Sequence, residues 1–168
     1  MKNLTLAICL TLAVLLGSTG TSWGADFNKG LAAAQSGDFA TALREWKPLD
    51  EQGNAGAQYS LGVMYSKGLG VPQDYKTAVK WHTLAAKQGN AYAQYNLGMM
   101  YANGQGVLQD YKTAVKWYRL SAYQGYASAQ SNLGGMYALG QGVIQDNVYA
   151  HMWGNLGASN GNQKGGKL

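Results

Sequence analysis

A 36-residue unit repeats three times along this chain, and the repeat constrains the fold more than any other feature of the sequence. The segments AQYSLGVMY, AQYNLGMMY and AQSNLGGMY occupy residues 57–65, 93–101 and 129–137, each 36 positions after the one before. A fixed period of about 20–50 residues is typical of stacked-repeat proteins, because one unit cannot bury its apolar face alone. The chain is therefore predicted to stack its units around a continuous core and to act by binding along an extended surface.

Each unit is predicted to form two helices joined by a tight turn. In the first unit, the first helix is expected to run from about Asn54 to Lys67, because small and apolar residues recur there at helical spacing. A Gly-x-Gly-Val turn follows in every unit, and glycine supplies the positive φ that such a turn requires. The turns are residues 68–71, 104–107 and 140–143.

The second helix of each unit is predicted to begin after an aspartate and to end at a glycine. A carboxylate at the start of a helix accepts hydrogen bonds from the free N–H groups of the first turn. The aspartates are Asp74, Asp110 and Asp146, and the closing glycines are Gly89, Gly125 and Gly161. No part of the repeats has a strand pattern. The sequence thus predicts an all-α chain, an α/α superhelical solenoid of helix-turn-helix repeats with a 36-residue period.

A glycine also lies inside the first helix of every unit. The three positions are Gly62, Gly98 and Gly134. Glycine costs about 0.8–1 kcal/mol relative to alanine inside a helix. Its use three times at one register predicts that another backbone passes too close for a methyl group.

The first 24 residues have the layout of a secretory signal peptide. Lys2 precedes an uncharged apolar run from Leu4 to Leu16, and mostly small or polar residues continue to Gly24. The run is too short for a membrane-spanning helix, so an uncleaved anchor is the less favoured alternative. We expect a periplasmic or secreted protein without stable membrane insertion after cleavage. The single cysteine, Cys9, lies in this segment, so the mature chain would form no disulfide.

The same patterns divide the chain into six segments. The third repeat is degraded, because Asn147 and Val148 replace the tyrosine and lysine that follow the capping aspartate in the other units. The predicted segments are a signal peptide (1–24), an atypical N-terminal capping helix pair (25–53), repeats at 54–89, 90–125 and 126–161, and a C-terminal tail (162–168).

The charge and the histidines favour neither nucleic-acid binding nor catalysis. The net charge is +5, and loss of Lys2 would leave a mild +4. His82 aligns in the repeat with Tyr118 and Gly154, whereas His151 aligns with valines, so the histidines share no repeated position. They lie 69 positions apart and the mature chain would lack cysteine, so we expect no metal or other cofactor. The sequence predicts that the protein is not an enzyme.

The string A-Q-Y-x-L-G-x-M-Y, followed by G-x-G-V-x-Q-D-Y and A-V-K-W, resembles the Sel1-like repeat family over about residues 38–161. The resemblance implies a bacterial exported solenoid, related to tetratricopeptide repeats, that acts as a scaffold or adaptor for other proteins. In such stacks the first helices line the concave side. By that analogy, the partner-binding groove would contain Tyr59, Val63, Ser66, Tyr95, Met99, Ala102 and Ser131.

Two interpretations of these groove residues, and three functions, remain open at this point. Exposed tyrosine and methionine make an adaptable, partly apolar docking strip, but the same side chains would also serve as packing between units. The leading hypothesis is an exported scaffold that binds a protein or peptide through its concave face. The alternatives are a hydrolase acting on cell-wall material or β-lactams, a role suggested for some exported relatives, and a binder of anionic envelope polymers through lysines of the second helices.

Overall fold

The computed structural model describes residues 25–165, which form eight α-helices and no strand. The predicted signal peptide and residues 166–168 lie outside the described residues. The helices are α1 (Phe27–Gln35), α2 (Phe39–Glu51), α3 (Ala55–Lys67), α4 (Tyr75–Lys87), α5 (Ala91–Asn103), α6 (Tyr111–Tyr123), α7 (Ala127–Leu139) and α8 (Asn147–Gly165). Each odd-numbered helix packs on the helix that follows it, and each pair packs on the next pair. The all-α prediction is confirmed.

The starts of the second helices are fixed by the aspartates that the sequence singled out. Asp74 accepts hydrogen bonds from the backbone N–H groups of Lys76 and Thr77 at 2.9 and 3.2 Å. The Thr77 hydroxyl donates to the same carboxylate at 2.6 Å and is the main cause that lowers the pKa of Asp74. Asp110 and Asp146 cap α6 and α8 through backbone N–H groups in the same way.

The predicted helix ends hold in the first two repeats and are wrong in the third. Gly89 and Gly125 follow α4 and α6 with φ values of 89° and 79°. Gly161 instead lies inside α8, which continues to Gly165. Because glycine has no Cβ atom, it permits a left-handed helix end but does not by itself require one.

The buried residues of the core recur with the same 36-residue period as the sequence. Alanine, leucine and methionine side chains of each first helix are buried at the same three register positions. They are Ala57, Leu61 and Met64 in α3, Ala93, Leu97 and Met100 in α5, and Ala129, Leu133 and Met136 in α7. The repeated sequence thus produces a repeated packing layer, as stacking requires. None of the helices in the described residues has the length and apolar character needed to cross a bilayer.

The Gly-x-Gly turn of one repeat rests on the start of the second helix of the preceding repeat. A Cβ atom built on Gly106 would lie 2.5 Å from the carbonyl carbon of Tyr75 and 2.8 Å from the amide nitrogen of Lys76. Gly142 has the same relation to Tyr111 one repeat later. Neighbouring repeats therefore meet through backbone contacts that leave no room for a side chain.

Candidate partner-binding site

A cavity of about 330 Å³ opens between α3, α4 and α5, where the first two repeats meet. Four of the seven predicted groove residues line it, namely Tyr59, Val63, Ser66 and Met99. Val63 and Met99 are apolar, while the Ser66 hydroxyl donates to the Val63 carbonyl at 3.0 Å, so its oxygen can still accept a hydrogen bond. The cavity thus combines apolar surface with hydrogen-bonding groups.

The other three predicted groove residues lie elsewhere. Tyr95 packs against the rings of Tyr118 and Tyr126, with centroids 5.9 and 5.0 Å away. Ala102 is half-buried beside the core of the second and third repeats. Ser131 is exposed and lies against Gly157 of α8.

A row of six aromatic rings extends from the cavity towards the third repeat. Neighbouring centroids are between 5.0 and 5.9 Å apart, in tilted or edge-on geometry that suits the ring quadrupoles. In spatial order this ring row consists of His82, Tyr59, Tyr92, Tyr126, Tyr95 and Tyr118. Burial raises the pKa of Tyr59 and Tyr95, and raises that of Tyr118 to about 12, so these hydroxyls remain protonated at neutral pH.

The glycines inside the first helices make room for two of these rings. A Cβ atom on Gly62 would lie 2.6 Å from the imidazole of His82, and one on Gly98 would lie 2.6 Å from the ring of Tyr118. The prediction that a passing backbone requires glycine is therefore wrong at these two positions. A ring on the partner helix fills the space instead.

The third repeat departs from this arrangement. Its ring position is occupied by Gly154, and the backbone of α8 approaches Gly134 directly. A Cβ atom on Gly134 would lie 3.0 Å from both the Ala150 carbonyl oxygen and the Gly154 amide nitrogen. The predicted backbone contact is correct here, because no ring keeps the two helices apart.

His82 is fully buried and uncharged at neutral pH. Burial lowers its pKa to about 4, because the imidazolium ion would lose its hydration without gaining a counter-ion. Its Nε2 atom lies 3.5 Å from Nδ2 of Asn96, and its Nδ1 atom has no hydrogen-bond partner in the described structure. A phenol at this position, as in Tyr118, would extend into space that the shorter imidazole leaves open.

The site has little of the chemistry that catalysis needs. Lys67 is the one charged side chain that lines the cavity. A histidine whose pKa is about 4 is a weak general base at neutral pH. Within residues 25–165, no group of three or more His, Cys, Asp or Glu side chains is placed to hold a metal ion. The arrangement is suited to binding a side chain or a peptide segment.

Sequence reasoning did not place several of these residues in the candidate site. The missed residues are His82, Tyr92, Asn96 and Tyr126. Tyr92 and Tyr126 depart from the repeat, since Tyr92 replaces a small residue and Tyr126 replaces the asparagine that caps the first helix in the other units. Tyr126 makes no such side-chain cap, which indicates that its ring is placed for packing. Departures from the repeat were the signal that marked the site.

Comparison with known proteins gives one family and a consistent fold. A family model described as Sel1 repeat matches residues 55–90, 91–126 and 127–162, more than half of the chain. The crystal structure of a Sel1 repeat protein from Oxalobacter formigenes is similar with a TM-score of 0.78 and 33% sequence identity, over 83% of this chain and 57% of that chain.

A second similar structure is that of c5321, a protective antigen present in uropathogenic Escherichia coli strains and displaying an SLR fold. Its TM-score is 0.72 at 36% identity, over 83% of this chain and 34% of that chain. The chain thus spans about half and about a third of the lengths of these two proteins. No curated protein matches the chain. The likeness to both structures confirms the predicted helical repeat solenoid.

Proposed function

We propose that this chain, which belongs to the Sel1 repeat family, is a non-catalytic scaffold that binds a segment of another protein through the face formed by its first helices. Sel1 repeats are in general protein-interaction scaffolds. Stacked repeats create extended surfaces of the kind that such partners require.

The observation that carries the proposal is the cavity beside the ring row. Its volume of about 330 Å³ is at the low end of the range for small-ligand sites, so it fits one or two side chains of a partner. Met99 and Val63 offer adaptable apolar contact, and the Asn96 amide supplies both a donor and an acceptor. We infer that one side chain of the partner enters the cavity while the adjoining segment lies on the ring row.

We also propose that the protein is exported to the periplasm or beyond. The charge and apolar run of residues 1–24 support a signal peptide that is removed before the N-terminal capping pair. The relative described as a protective antigen of uropathogenic Escherichia coli is in keeping with an exported protein. The partner would then be a protein or peptide of the cell envelope or of the surroundings.

Site-specific photo-crosslinking tests the proposed face. A benzophenone amino acid at Met99, inside the cavity, should cross-link to the partner in envelope extract, and the same probe at the exposed Lys80 of α4 should not. Mass spectrometry of the adduct at Met99 should map to one segment of one protein. The double substitution Tyr59→Ala and Tyr95→Ala should abolish the adduct while circular dichroism remains helical. Equal cross-linking from both probe positions, or an adduct that survives loss of both tyrosines, would rule out this face as the binding site.

A further inference from the structure

A stripe of exposed apolar side chains lies on α8 where the preceding repeat is charged. Val148 and Met152 are 79% and 41% exposed, and they occupy the register positions of Lys112 and Lys116 on α6. Leu156, also 41% exposed, lies one further turn along the helix. The spacing of four residues places the three side chains on one face. We call Val148, Met152 and Leu156 the α8 stripe.

A following repeat would not cover the α8 stripe. The equivalent face of α6 remains exposed although α7 packs directly against α6, as Lys112, Lys116 and the 47% exposed Leu120 show. The side of α6 on which the next helix packs is different and includes the buried Ala122. The exposure of the stripe is therefore a property of α8 itself and would persist if another helix packed after it.

The α8 residues around the stripe are uncharged as far as Gly161, and the nearest charged residue in the sequence is Asp146, which caps α8 through the Val148 N–H group. Residues 147–161 contain no Asp, Glu, Lys or Arg, and their one histidine, His151, is exposed. Apart from Asp146 at the start of the helix, a partner selected by charge would find no complementary group among residues 147–161. An anionic bilayer would require lysine or arginine beside the apolar side chains, as amphipathic membrane helices provide. The chemistry complementary to this face is another neutral, apolar helix face.

A second copy of the chain supplies such a face. The lysines on α4 and α6 would repel their counterparts if those faces met, whereas two α8 stripes approach without like-charge repulsion. We propose that two copies of the chain associate about a two-fold axis through their α8 stripes. With the helices antiparallel, Met152 lies near the axis and Val148 of each copy meets Leu156 of the other. Each copy keeps its first-helix face free, so the dimer would present two partner sites.

Sedimentation velocity of the purified chain between about 5 and about 500 µM tests the proposal, because a dimer whose Kd lies in that range would change from mostly monomer to mostly dimer across it. We expect a monomer that converts to a dimer as concentration rises. The variant Val148→Lys with Met152→Lys restores the residues of the other repeats, so it should keep the fold and weaken dimerisation at least about tenfold. Leu120→Lys, at the register of Leu156 but in the second repeat, is the matched control and should dimerise like the unmodified chain.

Three results would overturn the proposal. They are a monomer at every concentration, an unchanged dimer in the double-lysine variant, and a monomer that instead binds neutral phosphatidylcholine vesicles through the stripe.

A second measurement tests whether Met152 lies near the two-fold axis of the dimer. In a chain carrying Cys9→Ser, Met152→Cys should form a disulfide-linked dimer on mild oxidation, while Lys80→Cys, at the same register in the first repeat, should not. Equal cross-linking of both variants would also overturn the proposal.

Discussion

One ring position distinguishes the three repeats. Opposite an invariant glycine, the chain places an imidazole at His82, a phenol at Tyr118 and no side chain at Gly154. The glycine is constant, so the repeats differ here in the ring and in how closely the second helix approaches the first. The cavity lies at the repeat that has the small ring.

His82 also links the stability of the fold to pH. Its pKa of about 4 in the folded protein lies below the ordinary value of 6.5, so the unfolded chain takes up its proton first as the pH falls. The stability that depends on neutral His82 is complete above about pH 6.5 and is lost as the pH falls towards 4. Between about pH 7 and about pH 4.5, we expect the unmodified protein to lose about 2–3 kcal/mol more of its free energy of unfolding than the His82→Tyr variant loses. Urea titrations at the two pH values measure it.

The tyrosine variant is a matched control for this prediction. Asp74 and Asp110 also have lowered pKa values, and the loss of their charge at low pH affects both proteins equally. The difference between the two proteins therefore isolates the histidine. If the free energy of unfolding falls by the same amount in both proteins over this pH range, His82 is not held neutral by burial.

Gly62 shows how far the sequence alone predicts the packing between two helices. The invariant Gly62 indicates that something lies too close for a methyl group, and that inference is correct. Whether a backbone or a ring fills the space depends on the distance between two helices, which the glycine does not encode. The cavity beside His82 depends on the placement of three helices, so the sequence alone does not predict it either.

At the scale of helices, the sequence predicts a helix boundary correctly where the contacts that fix it lie within a few residues. The first helix of the first repeat was expected from Asn54 to Lys67, and α3 is Ala55–Lys67 with Asn54 as its cap. Side-chain caps and left-handed glycines act within a few residues, so their positions follow from residue type. Gly161 is the exception, because a glycine permits a left-handed helix end without requiring one.

The Gly-x-Gly turns join neighbouring repeats through close backbone contacts. Gly106→Ala should reduce the free energy of unfolding by at least about 2 kcal/mol more than Gly89→Ala. Both glycines have positive φ, so each variant has the backbone strain of about 1 kcal/mol. A Cβ atom at Gly89 meets nothing within 4 Å, whereas one at Gly106 meets the backbone of Tyr75. Chemical denaturation compares the variants, and equal losses would show that the turn does not hold the repeats together.

At the scale of the whole molecule, each repeat packs on the repeats beside it. Stability in such a stack is approximately a sum of repeat and interface contributions, and weak interfaces allow parts to unfold separately. The chain offers a tryptophan in each layer as a probe, at Trp46, Trp81, Trp117 and Trp153.

Single-tryptophan variants should therefore distinguish intact from weakened coupling. In the otherwise unmodified chain, the fluorescence transitions of Trp46 and Trp153 in urea should coincide. With Gly106→Ala added, the two transitions should separate, because the contact between the first and second repeats is weakened. Transitions that remain coincident in this variant would show that the stack unfolds as one unit whatever the strength of that contact.

The distribution of charge between the two kinds of helix has a kinetic consequence. The first helices α3, α5 and α7 contain one charged residue, Lys67, while the exposed lysines of the repeats lie mainly on α4 and α6. Long-range attraction would therefore do little to guide a partner to the first-helix face. Association would proceed at the unassisted rate of about 10⁵–10⁶ M⁻¹s⁻¹, and a tight complex would owe its affinity to slow dissociation.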